Sequence, residues 1–537
     1  MRTMLWILDS VGRRRLARHT RQYLSGLATS STKGWQNRMT TLLQTLDGDP
    51  GPRLLLGETE WGERVALPLE FVVKAHSIVT GGTGSGKSMA ALLLVEAMLE
   101  AADAGLPRFA FGILDAKGEL FERVLYLLAR RIRKLDDEGK EKLLKRIEII
   151  DLTRQDPVTS YNIARPWAGS DQDFFTHSRT ETLQELLPGG DAISLRGCSV
   201  VRHVLKLLAA AMLPFAYFDR VLCSEAIREK LVTNCGTEEL RYYFRYHFPR
   251  EPKATIEAVR ARLLSALMSS SSLKLALSGQ DVPDFRRLQD EGRIVLINCA
   301  GPNIPRTTAR TLQALFLSDI RQAVFCRQNM DVPYLWDCDE AQNFFRTRQL
   351  RENMVDLLTM SRSFGAFFLY LTQNLASAVQ DGAMLETLFT NIRWSLSLRT
   401  TAQDASFLRG ALPVTGRRRK PSPDPFAPPE YSSPAEERSL LLEGMACLPD
   451  REGWLWLKAL TGEAVKIKTT TLQLPPVDEF REEVEQIRAN PNIGSRMTRT
   501  EFLRKVAKRD RKWTAGEGAD KVTSLKKAYQ EERKCSA

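Results

Sequence analysis

Residues 81–88, Gly81-Gly-Thr-Gly-Ser-Gly86-Lys87-Ser88, fit the pattern GxxxxGK[ST] in full. Such a loop does phosphate chemistry. Its glycines let successive backbone N–H groups turn inward, and the start of the following helix adds the positive end of its dipole. The pattern assigns Gly81, Gly82, Thr83, Gly84, Ser85, Gly86 and Met89 to the cradle. Lys87 reaches the β and γ phosphates, and the Ser88 hydroxyl ligates Mg²⁺. ATP with Mg²⁺ is the implied ligand.

A phosphate loop needs acidic residues at the end of another strand. Tyr334-Leu-Trp-Asp-Cys-Asp339-Glu340 supplies them. Asp339 holds the metal shell and Glu340 polarises the attacking water, because the metal needs a fixed anion and the water a base. Asp337 interrupts the apolar run, and in a shifted register it would be the metal carboxylate instead.

The elements that must position these groups are legible as alternating apolar runs and helical patterns. Short runs at 64–68, 76–80, 109–114 and 147–150 read as strands, with helical patterns at 87–103 and 119–145 between them. Strands separated by long helices predict βαβ units and a parallel sheet. From 170 to 290 the strand signal gives way to Leu, Ala, Arg and Glu at helical spacing. It returns at 293–298, 332–337, 366–371 and 393–398, and a final hairpin is read at 453–458 and 464–468.

The expected organisation follows. Residues 1–56 form a helical basic arm, and 57–169 the first part of a P-loop NTPase domain. Residues 170–290 form an all-α insertion, and 291–477 the second part, with a Pro/Arg-rich loop at 416–435. Residues 478–537 form a basic tail without a core pattern, a solvated helix past Arg496. The fold class is α/β, RecA-like, with a mainly parallel sheet interrupted by an all-α domain.

Composition narrows the chemistry. Of 537 residues, 43 % are hydrophobic and 26 % charged, which excludes wholesale disorder. Lys plus Arg is 77 against 65 for Asp plus Glu, a net charge of +12 that favours an anionic partner. The eight cysteines form no CxxC pair and the five histidines no HxxxH pair, so a zinc site built by the protein is not expected. No apolar window is long enough to span a membrane, and the sequence reads as cytoplasmic.

With these motifs in hand, the chain resembles the type IV coupling proteins of the TraD/TraG class, within the HerA–FtsK group of DNA-pumping ATPases. The resemblance rests on Gly81–Ser88, Leu114-Asp-Ala-Lys-Gly-Glu, Ser160-Tyr-Asn-Ile, Asp339-Glu-Ala-Gln, Ser361-Arg-Ser-Phe-Gly and Leu371-Thr-Gln373, in family order over roughly 57–475. It implies that Gln373 contacts the γ-phosphate or the attacking water. It also implies that Arg362 is an arginine finger acting on a neighbouring subunit, with Arg393 and Arg399 as competing candidates, and that Asp115 and Lys117 shape the site. Coupling proteins normally begin with transmembrane helices; for this sequence two expectations stay open, an N-terminal arm that replaces that region and binds another subunit, or a soluble relative.

The resemblance further implies a hexameric ring, with DNA as substrate gripped through phosphate contacts. A relaxase, secretion-channel proteins or a nuclease are the implied partners, with recruitment to the inner membrane through a partner. Two other readings remain open: a soluble motor working with a nuclease or defence partner, and a nucleotide-switched scaffold with little turnover. Arg417, Arg418, Arg419 and Lys420 form the densest basic cluster, either a solvated loop or a DNA contact. Tyr242, Tyr243, Phe244 and Tyr246, with Arg241 and Arg245 among them, line a strand path or form an aromatic face of the α domain.

Overall fold

The computed structural model describes residues 32–103, 109–166, 171–186, 193–268, 270–379, 382–414, 420, 430–474 and 477–514. They fall into two compact units. One is drawn from Met1–Thr153, Glu181–Pro188 and Asp284–Gly494, the other from Arg154–Thr180, Gly189–Pro283 and Ser495–Ala537.

Thirteen strands occur among the described residues: β1 Arg53–Thr59, β2 Arg64–Pro68, β3 His76–Thr80, β4 Ala110–Asp115, β5 Ile147–Asp151, β6 Val158–Thr159, β7 Ile294–Asn298, β8 Tyr334–Cys338, β9 Ala366–Thr372, β10 Ile392–Leu398, β11 Glu452–Trp456, β12 Val465–Thr469 and β13 Arg496–Met497. All but β6 and β13 join one eleven-stranded sheet in the order β2-β1-β12-β11-β10-β3-β9-β8-β4-β7-β5. From β10 to β5 neighbours run parallel, whereas β11, β12, β1 and β2 add an antiparallel flank.

The central strands β3, β4, β8 and β9 are buried along their whole length. The mostly apolar sequences of β4, β8 and β9 are what a parallel sheet covered on both faces demands, and β3 buries His76, Ser77 and Thr80 beside Ile78 and Val79. Gly112 on β4 is fixed by close approach: a Cβ there would lie 2.3 Å from the Trp336 ring of β8.

One face of the sheet is covered by helices Thr32–Asp47, Lys87–Asp103, Glu119–Lys134 and Arg481–Ala489. Their buried Met39, Leu43, Leu94, Met98, Leu125, Leu128, Val484 and Ile487 share one apolar core. The 119–145 pattern is two helices rather than one. Asp136 ends the first register by accepting from the Gly139 amide and so starts a helix at Asp137–Arg146. The stretch after 478 is also more than a tail. Phe480, Val484 and Ile487, spaced at helical intervals, are buried in the core, and the Arg488 guanidinium meets Glu122 at 2.5 Å and Asp151 at 2.8 Å. Three apolar residues among so many charges give a faint periodic signal, which the tertiary contacts make decisive.

The second unit is mainly helical, with Leu195–Ala210, Phe218–Cys223, Glu225–Cys235, Glu238–Tyr242 and Lys253–Leu267. Ser194, Ser224 and Thr237 begin three of these helices by accepting a backbone N–H in the first turn. It also holds a two-strand ribbon, β6 with β13, absent from the sequence expectation. Helix Arg499–Thr514 belongs to this unit and is not solvated all round: Phe502 packs with Val158 and Leu275, and Trp513 is buried. Among the described residues, no helix is long and apolar enough to cross a membrane.

Candidate active site

Strand order alone gathers the predicted residues. β3, β9, β8 and β4 are consecutive neighbours, about 4.8 Å apart. Their C-terminal ends therefore set the Gly81–Ser88 loop, Gln373, Asp339 with Glu340, and Asp115 with Lys117 side by side. Helix Lys87–Asp103 starts from the loop, so Lys87, Ser88 and Met89 form its first turn.

The loop is anchored by its neighbours. Gly81 N–H donates to Thr372 O at 3.1 Å, and Gly82 N–H to Arg399 O at 2.7 Å. Arg451 N–H donates to Ser85 O at 2.9 Å, and the Ser85 hydroxyl donates to Gly82 O at 2.8 Å. The Gly81 and Gly82 amides thus hold the loop in place, while Thr83 and Gly84 are exposed at its crest. Gly86, at φ +111°, packs against Arg451, whose Cγ would lie 3.1 Å from an added Cβ. Arg451 itself adopts φ +68°. No sequence motif pointed to Arg451; a strained residue after Pro449-Asp450 carried no signal until β11 was seen beside the loop.

Glu340 lies at the centre of the polar network. Its carboxylate accepts from Gln373 Nε2 at 2.7 Å and from Gln342 Nε2, and it pairs with the Lys117 ammonium. Gln373 in turn accepts from the Thr83 hydroxyl at 3.3 Å, and Gln342 from the Thr372 hydroxyl at 3.0 Å. The chain from loop crest to carboxylate is continuous: Thr83, Gln373, Glu340, Lys117. Glu340 is held at φ +53°, a left-handed conformation costly for a residue with a Cβ.

Asp339 is 7 % exposed, one position past β8. Its N–H donates to Leu114 O at 3.1 Å, and its carbonyl accepts from Gln313 Nε2 at 2.6 Å, with Asn343 bonded to Gln313 behind it. Burial, then the charges of Asp115 and Glu340, push its carboxyl up to about 7. Asp337 lies inside the strand, between Ile113 and Leu369, 2 % exposed and with neither oxygen hydrogen-bonded among the described residues. Burial pushes its pKa well above the usual carboxylate range. Asp115 is a cap: it accepts from the amides of Lys117 at 2.7 Å, Gly118 at 2.9 Å and Phe121 at 2.8 Å, starting helix Glu119–Lys134. That cap aims Lys117 at Glu340.

Glu340 is paired with Lys117 and Asp115 is capped by amides, whereas Lys87 and Asp339 form no ion pair among the described residues, which fits a metal–polyphosphate. The Lys87 ammonium is buried, donates to Gly81 O at 2.6 Å and Gly82 O at 3.0 Å, and makes no ion pair among the described residues. Burial holds it below the usual lysine range. A phosphate group would supply the anion Lys87 lacks, and a divalent cation at Ser88 and Asp339 the positive charge the carboxylates lack.

The three candidate fingers sort by edge. Arg399 is part of its own loop's support, paired with Asp450 at 2.7 Å. Arg393 starts β10, and Arg362 precedes β9, both exposed at the opposite, N-terminal edge of the sheet. Across the seven residues of β9, Arg362 is some 20 Å from Gln373. Of the basic loop cluster, Lys420 pairs with Glu436 at 3.0 Å; Arg417, Arg418 and Arg419 lie outside the described residues.

No protein-family model matches the sequence, and no curated protein does either. The fold is matched by solved structures. The bacterial conjugative coupling protein TrwBdeltaN70, in its trigonal form with sulphate, superposes with a TM-score of 0.50 at 14 % identity, over 81 % of this chain and 93 % of that one. Its unbound monoclinic form gives 0.50 at 14 %, over 81 % and 92 %. VirB4 of Thermoanaerobacter pseudethanolicus gives 0.49 at 13 %, over 81 % and 99 %. The mainly parallel sheet with a phosphate-loop motif at the end of β3 is the RecA-like P-loop NTPase fold, and the chain shares it with the conjugative coupling protein.

Proposed function

We propose that this chain is a Mg²⁺-dependent ATPase that works as a ring-forming DNA-translocating motor, as its likeness to a coupling protein suggests. The observation that carries the catalytic part is the continuous contact from Thr83 through Gln373 to Glu340, beside an unpaired Lys87. In this reading Lys87 would bind the β and γ phosphates, and Ser88 and Asp339 would hold a Mg²⁺ ion, which would neutralise phosphate charge. Glu340 takes a proton from water as its oxygen bonds to the γ-phosphorus. The bond from that phosphorus to the bridging oxygen breaks, and ADP leaves. Gln373, touching both loop and base, senses the γ-phosphate without adding charge.

DNA as the moving substrate is supported by the +12 charge and by the fold. The ring is supported by Arg362: its own site is a strand's length away, so its use as a finger requires a neighbour. Relaxase, secretion-channel or nuclease partners follow from the resemblance alone.

The test is steady-state ATP turnover with and without DNA. Glu340→Gln removes the proton acceptor and should lower kcat by about 10² to 10⁴ while nucleotide binding persists. Lys87→Ala should lose nucleotide binding along with turnover. Wild-type turnover in both variants would overturn the site. Turnover indifferent to single- and double-stranded DNA would overturn the motor and favour the scaffold.

A further inference from the structure

The helical unit carries an exposed aromatic and basic face that the nucleotide chemistry leaves unused. The run Glu238–Arg250 is continuously helical but changes pitch: an α-turn at Glu238–Tyr242, a π-turn at Tyr243–His247 and a 3₁₀ turn at Phe248–Arg250. π-turns inside helices re-aim side chains and occur often at functional sites. Here the aromatic rings divide into two sets. Tyr243, Phe244 and Phe248 are buried, and Tyr243 stacks on His203 with ring centroids 3.5 Å apart. Tyr242 and Tyr246 are 58 % and 47 % exposed, their centroids 5.1 Å apart, with His247 5.3 Å from Tyr242.

The surrounding charge is one-sided. Arg241, Arg245, Arg250 and Lys253 are exposed and form no ion pair among the described residues. Arg241 and Arg245 stand four residues apart, where like charges on a helix repel. Of the nearby acids, Glu239 is engaged by Lys206 at 3.1 Å, Glu251 is half-buried, and Glu238 sits in the first turn of the helix. Exposed tyrosines that contact one another, beside mutually repelling arginines without an ion pair among the described residues, match a ligand that offers flat π-faces and a row of anions together.

We propose that this face binds single-stranded nucleic acid, with bases stacking on Tyr242 and Tyr246 and phosphates meeting Arg241, Arg245, Arg250 and Lys253. Duplex DNA keeps its bases stacked inside and offers only phosphates, so the tyrosines specify the single strand. The binding is sequence-tolerant, since every base has a π-face. It does not depend on the ATPase reading, because it lies in the other unit and uses none of the nucleotide-site residues.

The experiment is fluorescence anisotropy of labelled dT20 on the full chain in EDTA without nucleotide. A matching 20-base-pair duplex and poly-glutamate serve as competitors. Tyr242→Ala with Tyr246→Ala should weaken dT20 at least tenfold, whereas Tyr242→Phe with Tyr246→Phe, which keeps both rings, should bind as wild type. Arg241→Ala with Arg245→Ala should reduce the slope of log affinity against log salt by about two. Ultraviolet crosslinking of bromodeoxyuridine-substituted dT20 should map to 241–253. Lys87→Ala should leave all of this unchanged, so a failed ATPase reading and a failed face are told apart. Unaltered dT20 binding by the folded Tyr→Ala pair, or a crosslink elsewhere, would overturn the proposal. Equal displacement by poly-glutamate would instead make the face an acidic-protein surface and overturn it too.

Discussion

At the N-terminal edge of the parallel strands the Arg327 guanidinium is enclosed and saturated. It donates to the carbonyls of Phe364, Gly365, Asn329 and Val332 at 2.6–3.0 Å and meets Asp290 at 3.4 Å. At the C-terminal edge the Lys87 ammonium has two carbonyls and, among the described residues, no paired anion, while Asp339 crowds against Asp115 and Glu340. Both edges bury charge, but only one satisfies it. A saturated charge holds loops in place; an unsaturated one fits the ligand-binding role proposed for that edge. Arg362 sits on the saturated edge yet is itself exposed and makes no side-chain bond or ion pair among the described residues. Its use as a finger is part of the proposed function, and the first experiment tests it.

The largest expected effect tests that assignment. Arg362→Ala should cost on the order of 10³ to 10⁵ in turnover with nucleotide binding nearly intact, because the contact matters in the transition state. Mixing Arg362→Ala with Lys87→Ala subunits should restore part of the turnover, since some interfaces then pair an intact loop with an intact finger. Normal hydrolysis by Arg362→Ala alone would move Arg362 back among inert surface residues, leaving Arg393 as the next candidate at that edge.

Arg327→Met should do the reverse. Removing a buried cation with five partners leaves carbonyls and Asp290 unmatched, and the cost in unfolding free energy should be about 3 to 5 kcal/mol. Turnover per folded molecule should stay near wild type. Urea unfolding combined with active-site-normalised kinetics separates the two, and a turnover defect without a stability defect would erase the contrast between the edges.

The smallest effect concerns His76, fully buried at the start of β3. Its Nδ1 accepts from Phe368 N–H at 3.2 Å, and its Nε2 faces the Ser361 hydroxyl at 3.4 Å. Burial, then the nearby Arg362 charge, lowers its pKa to about 3. The unfolded imidazole takes up its proton near pH 6.5 and the folded one near 3, so the unfolded state binds more protons between these limits. Stability should therefore fall as the pH drops below 6.5, by up to about 1.4 kcal/mol per unit from this group. His76→Asn should flatten the dependence between pH 6.5 and 5. An unchanged slope would mean the imidazole is already solvated.

The strands and the loop were legible because their signals are local. Eight residues at 81–88 specify the phosphate-loop motif, and short runs rich in apolar residues at 76–80, 334–338 and 366–372 specify strands buried on both faces. The helix at 481–489, the β6–β13 ribbon and the buried side of Arg499–Thr514 were not legible. Each depends on a few apolar residues whose partners are far away in sequence, such as Phe502 against Val158 and Leu275. Tyr242 and Tyr243 are adjacent and chemically identical, yet one ring is exposed and the other buried, a division set by which side of the helix packs against the unit.

By itself, then, the sequence determined the fold class, the phosphate loop and the pair of carboxylates, since residue type, spacing and hydrophobic run length act over a few residues at a time. Tertiary structure alone decided that Glu340 is gripped by Gln373 and Lys117, that Arg451 props the loop, and that Arg362 faces away from its own site. Those facts depend on strand order, and strand order is set by which buried faces fit together across hundreds of residues, a property no local pattern encodes.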